Sequence, residues 1–233
     1  MRERRNRKVR NPLVLAAIII LHAGQVWSMP LQVSVTGVEG EILQAVLANL
    51  SIRGWRDSPN LNDAVVRRLD EEATQEINET LRLFGYYSPE VDSRLEQEDG
   101  GYHAYYDINP GRPVTVSSVD LSIEGPGRND PVLSDRVGAF PLKTGSRVVH
   151  RRYEEWKSSV LSAAQQRGYL DAVFSESLVA VRVSQYSASV NLVLRTGPRY
   201  LLGPVTFQQD FLSTSYLEGF VNFEPGDPYE QEV

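Results

Sequence analysis

The sequence predicts an α+β protein built from tandem β-α-α-β-β units, each a three-stranded mixed sheet covered by two helices. Three observations carry this expectation. A long amphipathic helical pattern occurs twice, over residues 65–84 and 150–167. Each copy stops on Gly-Tyr, at Gly85-Tyr86 and Gly168-Tyr169, with 83 residues between the glycines. Each stop is followed by two stretches in which apolar and polar residues alternate, the period of a half-buried strand. Recurrence of a whole supersecondary unit at a fixed spacing is the mark of a repeat architecture.

In the first unit, residues 31–35 alternate and predict a strand that Gly37 ends. Residues 40–50 carry Ile42, Val46 and Leu50 on one side, a short helix. Residues 51–62 read as a polar connection with Gly54, Pro59 and two asparagines. In the long helix Val65, Leu69, Ala73, Ile77 and Leu81 fall four apart, with Val66 and Phe84 widening the apolar face, while Arg67, Arg68, Asp70, Glu71, Glu72, Gln75, Glu76 and Arg82 form the solvated side. Gly85 supplies the left-handed residue that closes a helix, and Pro89 prevents it from resuming. Residues 90–97 and 102–108 then predict a hairpin about the Asp99-Gly100-Gly101 turn.

Residues 109–113 (Asn-Pro-Gly-Arg-Pro) punctuate the chain, and the order begins again. A strand over 116–124 precedes a short helix over 131–140, then a second long helix whose stripe is Tyr153, Trp156, Val160 and Ala163/Ala164. Strands follow at 172–183 and 187–194. Residues 196–199 punctuate again, and a third unit opens with a strand over 202–208 and a helix near 213–220. The expected division is a leader at 1–28, unit 1 at 29–111, unit 2 at 112–198 and the start of unit 3 at 199–233. A third unit without its long helix and hairpin leaves its apolar residues uncovered, so the sequence reads as part of a longer protein. The rival reading makes residues 201–233 a terminal cap.

Residues 1–28 have the three parts of a cleaved secretory signal: a basic head of Arg2, Arg4, Arg5, Arg7, Lys8 and Arg10, an apolar core at 13–21, and a small-residue end at Ser28. A membrane span would need about 20 apolar residues. Setting the leader aside removes six of the 24 Lys and Arg and one of the 30 Asp and Glu. The remainder holds 18 basic and 29 acidic side chains, a net charge of −11. Such a surface repels nucleic acid, so no nucleic-acid partner is expected.

Catalysis has little to draw on, and no enzymatic activity, cofactor or metal is expected. There is no cysteine, and beyond the leader the histidines are His103 and His150, in different units. Neither has a second ligand at metal-binding spacing. Asp70-Glu71-Glu72 and Glu154-Glu155 are adjacent on helices and do not converge on one point. Gly125-Pro126-Gly127 lacks the lysine of a phosphate loop. Four aromatics stand out. Tyr86, Tyr87 and Tyr169 either cap their helices against the sheet or contact the next unit, and Trp55 either lies under its loop or anchors a partner.

Gly85-Tyr86-Tyr87, Gly168-Tyr169, Pro110-Gly111, Thr196-Gly197-Pro198, Gly145 and residues 225–229 (Pro-Gly-Asp-Pro-Tyr), in that order behind a signal, resemble the polypeptide-transport-associated (POTRA) domain. Residues 31–33, 83–89 and 167–171 are more closely similar to the TamA family of outer-membrane translocation and assembly factors, within the wider BamA/TamA-type barrel superfamily. The resemblance implies three such domains ahead of an outer-membrane barrel that lies outside this sequence. It also implies extended outer-membrane protein clients, an inner-membrane-anchored TamB-like partner and a periplasmic location. A two-partner-secretion pore or the general barrel-assembly subunit is the alternative, with a cell-division scaffold a third. In the resembled domains the second strand is a sheet edge. Here that places Val91, Ser93 and Leu95, and Val179 and Val181, where unpaired main-chain groups could take up a partner strand.

Overall fold

The computed structural model describes residues 29–98 and 100–231. The signal-peptide reading falls on residues 1–28, outside the described residues. Unit 1 runs β1 (Leu31–Thr36), α1 (Gly40–Asn49), α2 (Ser51–Gly54), α3 (Asp63–Leu83), β2 (Glu90–Glu98) and β3 (Gly101–Asn109). Its sheet has the order β1-β3-β2, with β1 parallel and β2 antiparallel to β3. The parallel pairing requires a crossover, and the helices supply it.

The side chain of Asn62 caps α3 by accepting from the Val65 amide at 3.2 Å. The helix then buries Val66, Leu69, Ala73, Ile77 and Leu81 against Leu31, Tyr102, Ala104, Tyr106 and Ile108 of the sheet. Each large apolar side chain buried this way stabilises by about 1.5–3 kcal/mol. Tyr106 is 1% exposed, and its hydroxyl donates to Asp70 Oδ1 at 2.8 Å. Val66 and Phe84, which widen the expected face, are buried, while Val65 at its start is half-buried. The connection read as polar over 51–62 contains α2, which inserts Ile52 fully into the core and seats Leu61 beside it. Three apolar residues in twelve, Ile52, Leu61 and the half-buried Trp55, tie this segment to the core.

Unit 2 repeats the order with β4 (Thr115–Glu124), α4 (Pro131–Gly138), α5 (His150–Gln166), β5 (Val173–Arg182) and β6 (Ser187–Arg195). Its sheet order β4-β6-β5 reproduces that of unit 1. Asp130 caps α4, accepting from the amides of Val132 at 3.0 Å and Leu133 at 3.4 Å, with Pro131 in the first turn where no amide is needed. Tyr153, Trp156 and Val160 of α5 pack with Val190, Leu192 and Leu194 of β6. The Trp156 indole donates to the Arg136 carbonyl at 2.9 Å, satisfying its polar end.

The third opening differs from expectation. Among the described residues no strand forms over 202–208, where a lone bridge joins Leu201 to Pro228. β1 and β4 are each held by the third strand of their own unit, and among the described residues no strand pairs with 202–208 in that way. A helix does form, α6 (Thr214–Glu218), but Phe211, Tyr216 and Phe220 around it are exposed.

Candidate functional site

The two long helices end in the same motif. At α3 the Gly85 amide donates to Arg82 O at 3.0 Å and the Tyr86 amide to Leu81 O at 3.0 Å. At α5 the Gly168 amide donates to Gln165 O at 3.0 Å and the Tyr169 amide to Ala164 O at 2.9 Å. This is the paired Schellman closure, which needs a left-handed residue, and both glycines sit at φ +85°.

Each motif then receives the following segment. The Gly85 carbonyl accepts from Val114 and the Gly168 carbonyl from Tyr200, both at 2.8 Å. A Cβ on Gly85 would lie 2.5 Å from Val148 O, and one on Gly168 would lie 2.5 Å from Tyr229 O. Val148 and Tyr229 are in turn bonded to Val114 at 3.1 Å and Tyr200 at 2.9 Å. The glycine thus closes a helix and also lets the next segment's main chain approach.

Tyr86 and Tyr87 divide between the units. Tyr86 packs against the core of unit 1 and Tyr87 against that of unit 2. Arg147 of unit 2 donates to the Tyr86 hydroxyl at 2.9 Å, with its guanidinium 5.3 Å from the ring centre. The Tyr87 hydroxyl meets His150 Nε2 at 3.0 Å, and burial pushes its pKa up, opposed by Arg82. Arg151 pairs with Glu41 across the same joint. At the second joint Tyr169 is 4% exposed among Leu133, Ala163, Ala164 and Ala172, with Arg199 5.9 Å from its ring centre. There an ionic chain replaces the second tyrosine: Asp130 to Arg167 at 3.1 Å, Arg167 to Glu230 at 2.7 Å, and Glu230 to Arg199. Leu170, at the position equivalent to Tyr87, is exposed.

Trp55 lies far from these joints in role: it is half-buried against the core of unit 1, beside the fully buried Ile52. Val91 and Leu95 on β2, and Val179 and Val181 on β5, also turn their side chains to the cores, while Ser93 is exposed. What these strands offer is therefore main chain. β2 and β5 each lie at one edge of their sheets, with β1 and β4 at the other, and among the described residues nothing pairs with the free sides of β2 and β5. The β5 ladder shifts between Phe174 and Glu176, leaving Ser175 in a bulge.

Among the described residues, no group of three His, Asp or Glu side chains could hold a metal ion. Nor, among the described residues, is any helix long and apolar enough to cross a membrane. His103 and His150 are each engaged with a hydroxyl, of Ser34 at 2.7 Å and of Tyr87. The joint cations Arg147 and Arg199 were missed in the sequence, which marks neither: Arg147 lies before α5 and Arg199 beyond β6, at different points of the repeat.

Residues 32–110 match the family model described as POTRA domain TamA domain 1. The chain is similar to the outer membrane protein assembly factor BamA of Nitratidesulfovibrio vulgaris, 27% identical over 162 residues, which is 66% of this chain and 20% of that protein. The chain thus spans about a fifth of that relative's length. Similar solved structures include POTRA domains 3–5 of Haemophilus influenzae BamA, at 16% identity and a TM-score of 0.45, covering 87% of this chain and 80% of that one. POTRA domains 1–3 of Omp85 from Anabaena also match, at 16% identity and a TM-score of 0.35, covering 87% and 78%. The matched residues hold the first three-stranded mixed sheet and its helices, and the second sheet repeats its strand order.

Proposed function

Residues 32–110 are a POTRA domain, and on that premise we propose that this chain is the periplasmic region of an outer-membrane protein assembly factor of the TamA kind. It aids insertion and secretion of outer-membrane and autotransporter-type proteins without being an enzyme. Extended clients pair with the free main chain of β2 and β5, a contact that depends little on sequence. Unit 1 docks an inner-membrane-anchored TamB-like partner, and a C-terminal barrel holds the array at the outer membrane. The net charge of −11 outside the leader keeps capture weak and reversible.

The observation that carries this reading is the match of residues 32–110 to the first POTRA domain of TamA. A second reading, the general barrel-assembly subunit, draws support from the similarity to BamA over 162 residues. Five POTRA units in the whole protein would favour that reading, and three the TamA kind.

Cell-envelope fractionation tests the proposal. The native protein should sit in the outer membrane and change its gel mobility on boiling, as a folded barrel does. A soluble periplasmic band of about this chain's size would overturn it.

A further inference from the structure

We propose that two of the sheet edges, β2 and β5, select different client strands: β2 one that places Lys or Arg at alternate positions, and β5 one that places apolar residues there. This selectivity rests on the strand-capture reading above.

On β2 the outward positions are Glu90, Asp92, Arg94, Glu96 and Glu98, four carboxylates and one guanidinium. The single cation is already engaged. Arg94 lies 4.8 Å from the centre of the Tyr105 ring and 3.0 Å from Glu96. Asp92 stands directly opposite Asp107, which accepts from the Thr36 hydroxyl at 2.7 Å. That row across the sheet holds two carboxylates side by side and no cation. Like charges directly opposite are destabilising, so the missing member of the row is a base on the strand beyond. A Lys or Arg there, about 4.5–5.5 Å away between Cβ atoms, relieves the repulsion. An apolar strand finds a charged edge of the kind that proteins use to block pairing.

β5 is built the other way. Beyond the bulge at Ser175 its outward positions are Glu176, Leu178, Ala180 and Arg182. These carry one charge of each sign, and the Asn191 amide donates to Glu176 at 2.7 Å. Leu178 at the centre is 58% exposed, opposite Asn191. Val179 and Val181, on the inward side, remain half-buried. A strand with alternate apolar residues covers Leu178 and Ala180, and nothing in that stretch calls for a base. Burial of such a side chain is favourable in proportion to the apolar area covered.

Two peptides about nine residues long, the length of β2, decide the matter. One alternates threonine with lysine. The other alternates threonine with valine and carries a polyethylene-glycol tail for solubility. Each is titrated into isotope-labelled protein, and the amide shifts and amide exchange protection are mapped by NMR. The lysine peptide should protect and shift β2, and the valine peptide β5. A double substitution, Asp92→Asn with Glu96→Gln, should weaken the lysine peptide about 2- to 30-fold, from two lost cross-strand charge pairs. It should leave the valine peptide unchanged. Both peptides on one edge, or exchanged edges, would overturn the selectivity while leaving strand capture intact. So would lysine-peptide shifts without protection of β2 amides, which would mean adsorption of charge. Binding of neither peptide to either edge would overturn strand capture itself, and the selectivity with it.

Discussion

The Val114 amide donates to the Gly85 carbonyl at 2.8 Å, binding the first residue of the second core to the turn that ends the first unit's long helix. Tyr200 and Gly168 repeat the bond at the same length. The Gly-Tyr motif is therefore a joint as well as a helix stop, and its chemistry makes specific predictions.

Gly85→Ala should damage the joint in two ways. A residue with a Cβ at φ +85° loses roughly 1–2 kcal/mol. Its Cβ also meets Val148 O at 2.5 Å, a main-chain atom that cannot swing aside. Gly145→Ala is the control, since Gly145 sits at φ +84° with nothing within 4 Å of its Cβ. Urea denaturation should show the larger loss for Gly85→Ala. Amide exchange at Val114 should accelerate in that variant and not in the control.

Arg147→Ala should loosen the units while leaving each folded. It removes the bond to the Tyr86 hydroxyl and the guanidinium above its ring, together worth about 1–2 kcal/mol. Small-angle scattering should report a broader distribution of inter-unit distances, with far-UV circular dichroism unchanged. Arg147→Lys should recover part of the effect, because an ammonium keeps the charge and loses the planar fork.

Tyr106 makes unit 1 sensitive to alkali. Burial, then the hydrogen bond and charge of Asp70, hold its pKa well above the ordinary value of 10.0. The unfolded chain releases this proton near pH 10 while the folded one retains it, so above that pH the unfolded state binds fewer protons. The stability is fully present below about pH 10 and falls as pH rises toward the folded-state pKa. Tyr106→Phe should cost about 1.5–3 kcal/mol at neutral pH, the range for a hydrogen bond to a charged group. It should also flatten the loss measured by denaturation between about pH 10 and 11.5.

Ile52→Ala should cost about 2–5 kcal/mol, the range for a large core side chain cut to alanine. Chemical denaturation of the variant checks it. A loss under about 0.5 kcal/mol, as at an ordinary surface site, would mean that residues 51–62 are the plain polar connection that their composition suggests.

That position also shows where the sequence stopped being legible. Gly85 and Gly168 could be read because a helical stripe ending on glycine has one common structural meaning, and the stripe of α5 emerged residue for residue. The three strands of each unit were readable from alternation alone, since one face of each sheet is covered. Ile52 was hidden because its burial follows from how the short α2 packs on α3 and β1, which no period records. The joint was half visible: the tyrosines stood out, but their partners Arg147 and His150 lie 61 and 63 residues away and look like ordinary surface residues. The opening strand of the third unit was read from the repeat order, yet among the described residues no strand pairs with it and none forms. At the edges the pattern picked out Val91, Leu95, Val179 and Val181, whose side chains serve the cores, while the free main chain is a property of topology.

Backbone N-methylation of a client peptide tests strand capture most directly, because it leaves the protein untouched. A peptide copied from a β-strand of an outer-membrane barrel is compared with the same peptide methylated on alternate amides, in both phases. One phase removes the donors that would face β2 or β5 and leaves every side chain in place. The prediction is that methylation in that phase abolishes binding and methylation in the other phase is tolerated. Equal binding by all three peptides would contradict main-chain pairing at these edges.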